Sequence, residues 1–330
     1  MRARTLLDAP WSVKRLVGVT QGLNESSLAK GKFASGLDAA VLSDMSDLSK
    51  IVVGTCGWSF DAWRGVFYPA YLPSGERLEF YSRHFAAVEV DSTFYGPPSM
   101  HAVAHWLDST PDAFRFTIKA PREITHERKL RNVHDHLDDF LAALAPLRRK
   151  IACVLLQLPP HFSIRHDETA LREFVRELPE DFRFAVEFRN PDWQMPRIAH
   201  LLEAHRICWV WSDATSLETQ QTAAFGFLPT TTDFLYLRLL GDLTGEIQTD
   251  GSGRSRYVSL QWPRDASVES WAARLRLELT KVGSVLAFAG NHFEGYGPES
   301  AVRVARQFGL PAQLPSVDAG TDEDGQIPLL

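Results

Sequence analysis

The sequence predicts an α/β chain folded as a (β/α)8 barrel of the TIM type, with a loosely ordered N-terminal extension and a disordered C-terminal tail. Three observations carry this expectation. Eight short β-type runs alternate with helix-type segments over about 260 residues, the size and rhythm of such a barrel. The first run ends in GTCGW (54–58), which lacks the GxGxxG turn of an open doubly wound sheet and puts a bulky Trp where a phosphate would sit. Most runs also keep one face aliphatic while the other ends in a polar residue, as strands do when one side meets helices and the other a lumen.

Residues 1–48 are rich in Ser, Gly, Ala and Lys and show no sustained periodicity, so they are read as the extension. The β-type runs are IVVGTCGW (51–58), AAVEVDSTFYG (86–96), FRFTIKAP (114–121), ACVLLQLPP (152–160), FRFAVEFR (182–189), ICWVWSD (207–213), FLYLRLLGD (234–242) and SVLAFAGNH (284–292). Helical spacing marks 76–85, 135–149, 167–178, 268–283 and 298–309. The segment 135–149 has an acidic first turn and a basic last one, with Pro146 as a potential kink. Gly283 and Gly309 are the expected C-caps of the last two. The acidic, Gly-containing end (312–330) is the expected tail, which leaves 49–311 as one barrel domain.

Alternation assigns the faces. Val88 and Val90 oppose Glu89 and Asp91; Phe116 and Ile118 oppose Thr117 and Lys119; Leu156 and Leu158 oppose Leu155 and Gln157. Val186 and Phe188 oppose Glu187 and Arg189, and Leu235, Leu237 and Leu239 oppose Tyr236 and Arg238. Trp209 and Trp211 share a face with Asp213, as Ala287 and Ala289 do with Asn291. In a barrel the C-terminal strand ends form the active-site mouth, so Glu89, Asp91, Lys119, Gln157, Glu187, Arg189, Asp213, Arg238 and Asn291 are expected to converge there. Charges of both signs also permit mutual pairing, Glu187 with Arg189 for instance.

Bulk properties narrow the partners. The chain has 330 residues, 45% hydrophobic composition, a net charge of −6 and a pI near 6.0, which favours no polyanion-binding surface and makes nucleic acid the less favoured partner. No apolar run reaches the roughly 18–20 residues of a membrane span. The three cysteines, Cys56, Cys153 and Cys208, are far apart and form no CxxC, so buried, reduced thiols and a cytoplasmic location are expected.

Six stretches carry a family resemblance: GTCGWSFDAWRGVFYP (54–69), VEVDSTFYGPPS (88–99), FRFTIKAPREITHERKL (114–130), LLQLPP (155–160), VEFRNPDW (186–193) and NHFEGYG (291–297). In type and order these resemble the DUF72 or YecE-like family over about residues 51–310. The resemblance implies a TIM barrel and no agreed reaction. Two positions depart from the family pattern: Leu240 stands where a His is usual, and Gly290 where an Asn precedes Asn291 and His292.

The residues themselves suggest an enzyme acting on a small anionic or polyhydroxylated compound such as a phosphorylated sugar, with no cofactor. Lys119, Arg189 and Arg238 suit a phosphate or carboxylate. Glu187 and Glu89 are the proton-transfer candidates, with His126 in the THERKL loop and Asp213 as further acids or bases. Gln157, Asp91, Asn291 and His292 add polar contacts, and Trp58, Phe94, Tyr95, Trp193 and Tyr296 are candidate stacking rings. A divalent-metal hydrolase or isomerase is the alternative, with Glu187, Asp213, His126 and His292 as ligands, although no HxH or HExxH spacing occurs. A non-catalytic binding barrel is a further one. DGSGRSR (250–256) is a candidate lid.

Overall fold

Eight parallel strands pair in sequence order and close on themselves. They are β1 (Ile51–Cys56), β2 (Ala87–Val90), β3 (Arg115–Lys119), β4 (Ile151–Gln157), β5 (Phe184–Glu187), β6 (Ile207–Ser212), β7 (Phe234–Leu239) and β8 (Ser284–Ala289). The closing pair aligns Ile51 with Val285 and Thr55 with Ala289. The computed structural model describes residues 48–214, 228–241 and 256–317, with Thr249. The predicted extension up to residue 47, the candidate lid apart from Arg256, and the tail from 318 onward lie outside the described residues.

The described helices are α1 (Arg77–Ser82), α2 (Met100–Asp108), α3 (His134–Leu144), α4 (Ile164–Arg176), α5 (Pro196–Ala204), α6 (Asp265–Arg276), α7 (Asn291–Glu294) and α8 (Gly297–Gln307). Three of them, α2, α5 and the short α7, are not singled out by apolar periodicity, and α7 begins within the predicted run 284–292. Pro146 has the expected effect: α3 stops at Leu144, and Ala145–Lys150 tightens into a 3-10 turn. The expected cap at Gly283 is not one. α6 ends at Arg276, and the Gly283 N–H instead bonds the Asp233 carbonyl at 2.7 Å. Among the described residues no helix is long and apolar enough to cross a membrane.

The two strand faces separate cleanly. Val88, Val90, Phe116, Ile118, Leu156, Val186, Leu235 and Leu237 belong to the large core shared with the helices. A second, smaller cluster of Cys56, Ala87, Cys153, Leu155, Ala185, Cys208, Val210, Phe234, Tyr236 and Phe288 fills the lumen. The barrel is therefore a packed interior, not a pore. All three cysteines are free, buried lumen residues, and burial pushes each thiol up, that of Cys208 to about 12.

Candidate functional site

Above the apolar lumen the same strand faces present ions. Arg238, two residues beyond Tyr236 on β7, lies on the lumen side and is 2% exposed. Its Nε donates to Glu89 Oε2 at 2.9 Å and its Nη2 to Glu89 Oε1 at 2.6 Å, a bidentate grip on the residue that ends the lumen face of β2. Its Nη1 donates to Glu187 Oε2, from β5. One guanidinium thus spans two fully buried carboxylates. The Tyr236 hydroxyl completes the set by donating to Glu89 Oε2. On the other side Arg189 Nε lies 2.6 Å from Glu187 Oε1.

Burying such charges costs several kcal/mol per ion unless they are paired and hydrogen-bonded; Glu89 and Glu187 Oε2 are both, while Glu187 Oε1 and Arg189 Nε form an ion pair without a hydrogen bond. The electrostatics follow the geometry. Burial raises the Glu187 carboxyl, but Arg189 and Arg238 outweigh it and hold the group below the usual carboxylate range. Burial and the charge of Glu89 push the Tyr236 hydroxyl well up, so it stays a donor. Glu187 and Glu89, the expected proton-transfer pair, both accept from Arg238.

Nearer the opening the groups are looser. Lys119 Nζ lies 3.6 Å from Asp91 Oδ1 and 4.4 Å from the centre of the Phe94 ring. Arg238 Nη2 is 3.8 Å from the same Asp91 oxygen. The Asp91 side chain is 42% exposed. Burial of the rest and the neighbouring Glu89 raise its carboxyl above the ordinary value, against the pull of Lys119 and Arg238. The 3-10 turn Ser92–Tyr95 places these residues, and the Thr93 hydroxyl fixes it by donating to the Lys119 carbonyl at 2.7 Å. Tyr95 stands 80% exposed on that turn, edge-on to Phe94. His126, carried on the single π-helical turn Glu123–Glu127, is edge-on to Phe94 at 4.9 Å. Burial and then Lys119, His161, Arg122 and Arg189 lower its pKa to about 4, so its ring is neutral at pH 7.

Several expected members lie elsewhere. Asp213 follows Trp211 on the helix-facing parity of β6, and its carboxylate accepts the backbone N–H groups of Leu240 and Gly241. Gly241 has φ +67°, and a Cβ there would come within 2.5 Å of the His292 carbonyl, so this turn requires glycine. Asn291, on the outer parity of β8, accepts from Trp63 Nε1 at 3.2 Å and Gly297 N at 2.9 Å. Both are structural ties that leave the mouth. Trp193 is fully buried between Phe162 and Phe188, with ring centres 5.1 and 4.9 Å away, and walls no pocket. Tyr296 is buried against Trp63. Trp58 packs edge-on to Trp106 of α2. His292 sits beside Tyr257, its Nε2 3.2 Å from that hydroxyl. Gln157 stays on the lumen face opposite Glu187 and donates to the Leu158 carbonyl at 3.1 Å.

The metal-ligand set Glu187, Asp213, His126 and His292 is not brought together. Among the described residues the grouping with ligand atoms within 4.8 Å of one another is Cys56, Glu89 and Asp91. It fits a divalent cation poorly: both Glu89 oxygens already accept from Arg238, whose charge would face the ion. Two hollows, of about 110 and about 600 Å³, lie at the opposite end of the barrel, by Ile51–Val53 and by Ile151 and Arg183.

Sequence reasoning left Tyr236 out of the site, although it shares Arg238's face two residues earlier, and that spacing was enough to find it. Leu240 and Gly290, the two departures from the family pattern, turn out to be neighbours. A Cβ on Gly290 would lie 3.3 Å from Leu240 Cδ2. The bulk of one occupies the room left by the other.

Comparison with known proteins gives a consistent picture. The family model described as "Protein of unknown function DUF72" matches residues 52–323. UPF0759 protein YecE of Escherichia coli K12 is 36% identical over 143 residues, 43% of this chain and 50% of that protein. UPF0759 protein YunF of Bacillus subtilis 168 is 32% identical over 152 residues, 44% of this chain and 53% of that protein. The chain thus spans about half the length of the curated relatives it matches. A crystal structure of a DUF72 family protein from Thermotoga maritima MSB8 superposes with a TM-score of 0.61 at 26% identity, covering 78% of this chain and 97% of that one. One from Enterococcus faecalis V583 gives 0.62 at 19% identity, over 81% and 98%, a likeness of fold.

Proposed function

The chain belongs to the DUF72 family, and from that premise we propose that its barrel mouth is a binding and acid–base site for a small anionic, polyhydroxylated molecule such as a phosphorylated sugar. The observation that carries this reading is the contrast in depth. Glu89, Glu187 and Arg238 form a buried, ion-paired floor, while Lys119 and Asp91 stand above it with a looser 3.6 Å contact. A ligand oxyanion can compete for Lys119, because its contact with Asp91 is longer than a hydrogen bond. Asp91, partly exposed and with its carboxyl raised, is then the group suited to carry a proton, in place of Glu187.

The test is a thermal-shift screen of sugar phosphates, neutral sugars and divalent ions, with elemental analysis of the purified protein. Sugar phosphates are expected to raise the midpoint, and Lys119→Met to abolish the rise. A stoichiometric metal, or a phosphate response untouched by Lys119→Met, overturns the proposal. If a ligand is turned over, Asp91→Asn should stop turnover while leaving binding in place. Binding with no turnover of any sugar phosphate tried points to a non-catalytic barrel.

A further inference from the structure

Two polar side chains beside Glu187 carry hydrogen-bonding groups that the floor does not use. The first is Gln157, the last residue of β4, whose Cα pairs with that of Glu187 on β5. Its Nε2 donates to the Leu158 carbonyl at 3.1 Å. That contact settles which way the amide is turned, because a backbone carbonyl only accepts and the amide nitrogen must face it. The amide oxygen Oε1 is therefore turned away from Leu158. It has no hydrogen-bond partner among the described residues and is not buried, so on the lumen face of β4 it is open to the mouth.

The second is Arg189, two residues beyond Glu187 and on the same parity. Its Nε is buried against Glu187 Oε1 at 2.6 Å without forming a hydrogen bond. Nη1 and Nη2 have no hydrogen-bond partner among the described residues and are not buried. A guanidinium offers its N–H groups as a planar fork, which matches the two oxygens of a carboxylate or phosphate.

These groups are opposite in kind and adjacent in place. Arginine donates and never accepts, whereas an amide oxygen accepts and never donates. Both border Glu187, on neighbouring strands about 4.8 Å apart. The Glu187 carboxylate does not serve a ligand itself, since Oε2 accepts from Arg238 and Oε1 is buried against Arg189. A plain oxyanion answers the fork and leaves the amide oxygen to water. A neutral sugar answers the amide oxygen and leaves the fork. A hydroxyl set a few atoms from an oxyanion answers both.

We propose that Gln157 and Arg189 act as a paired reader, in which the Arg189 fork holds the oxyanion of a phosphate ester or carboxylate and Gln157 Oε1 accepts a hydrogen bond from a hydroxyl close to that charge on the same ligand. This rests on the anionic-ligand reading above and narrows its class to anions with a hydroxyl near the charged group. Arg189 anchors such a ligand, and Gln157 discriminates it from an anion that lacks the hydroxyl.

The experiment is calorimetric titration of the full chain with a matched pair of probes, sn-glycerol 3-phosphate and propyl phosphate, and with inorganic phosphate as reference. The two esters share a skeleton and differ in their hydroxyls. Glycerol 3-phosphate is expected to bind about fivefold tighter, the worth of one neutral hydrogen bond where water replaces a missing hydroxyl. Gln157→Met keeps the length of the side chain and removes the amide, so it should level the pair and leave propyl phosphate binding as it was. If that variant does not fold, Gln157→Asn, with its shorter arm, should level the pair as well. Arg189→Lys keeps the charge and loses the fork, and should weaken both esters about tenfold while preserving their ratio. Equal affinity for the two esters in the unsubstituted protein overturns the inference and spares the anionic-ligand reading. So does a preference that survives both Gln157 variants, or ester binding untouched by Arg189→Lys. Failure of inorganic phosphate and both esters to bind sinks the anionic-ligand reading, and this inference with it.

Discussion

The polar residues that end β2, β3, β5 and β7 and those that follow β6 and β8 look alike in sequence and do different work. Glu89, Lys119, Glu187 and Arg238 continue the lumen parity set by Ala87, Thr117, Ala185 and Tyr236, and they meet at the mouth. Asp213 and Asn291 continue the opposite parity, behind Trp211 and Ala289, and tie loops to the helix layer. A charge at a strand end is thus a weak pointer by itself. Its parity against the small and sulfur-bearing lumen residues decides whether it faces ligand or backbone.

The largest effect that separates the two regions should come from Arg238→Met. It leaves two buried carboxylates facing each other without their shared guanidinium, and about 3–5 kcal/mol of stability should be lost in guanidinium chloride unfolding. A loss under about 1 kcal/mol would mean the floor is solvated and the comparison fails. Asp213→Ala should cost about 1–3 kcal/mol, since the Leu240 and Gly241 N–H groups lose their acceptor, while any phosphate response stays as it was. A lost response with unchanged stability would move Asp213 back into the mouth. Smaller still is the coupling between Leu240 and Gly290. Gly290→Asn alone should destabilise modestly, and Leu240→His with it should recover part of the loss, a coupling of about 0.5–1 kcal/mol in a double-mutant cycle. Additive effects would show that the two departures are independent.

The remaining effects are in pH. His126 titrates near 4 when folded and near 6.5 when unfolded, so between those values the unfolded chain takes the proton and stability falls as pH drops. His126→Gln should remove that slope. The folded-state pKa of Glu187 is lowered, so its contribution is present at neutral pH and is lost only as pH falls below the unfolded value of about 4.3. Urea midpoints measured from pH 7 to 3 should resolve the two windows. A single transition confined below pH 4 would rule out the lowered pKa of His126.

The barrel was legible because its determinants are local. Period-two alternation, the missing glycine-rich turn and the spacing of helical segments each need only a short window of chain. The floor was half legible. Glu89, Glu187, Arg189 and Arg238 could be placed at the mouth by parity, but that a single guanidinium holds both carboxylates depends on the distance across the lumen, which no window of sequence contains. For β6 and β8 the error was one of face. Paired tryptophans and paired alanines fit either side of a strand, and the polar residue beside them was taken to mark the lumen.

The pairing of three acids with three bases at the mouth has a kinetic consequence. Glu89, Glu187 and Asp91 are matched by Arg238, Arg189 and Lys119 within contacts of 3.8 Å or less. Fields of such closely matched charges die away over a few ångströms, well inside the roughly 8 Å screening length of physiological salt. The mouth therefore cannot draw a charged molecule from a distance, unlike an electrostatically steered cleft. Recognition begins at contact, and the association rate of an anionic ligand should hardly change with ionic strength, while its dissociation rate carries whatever selectivity the donors confer.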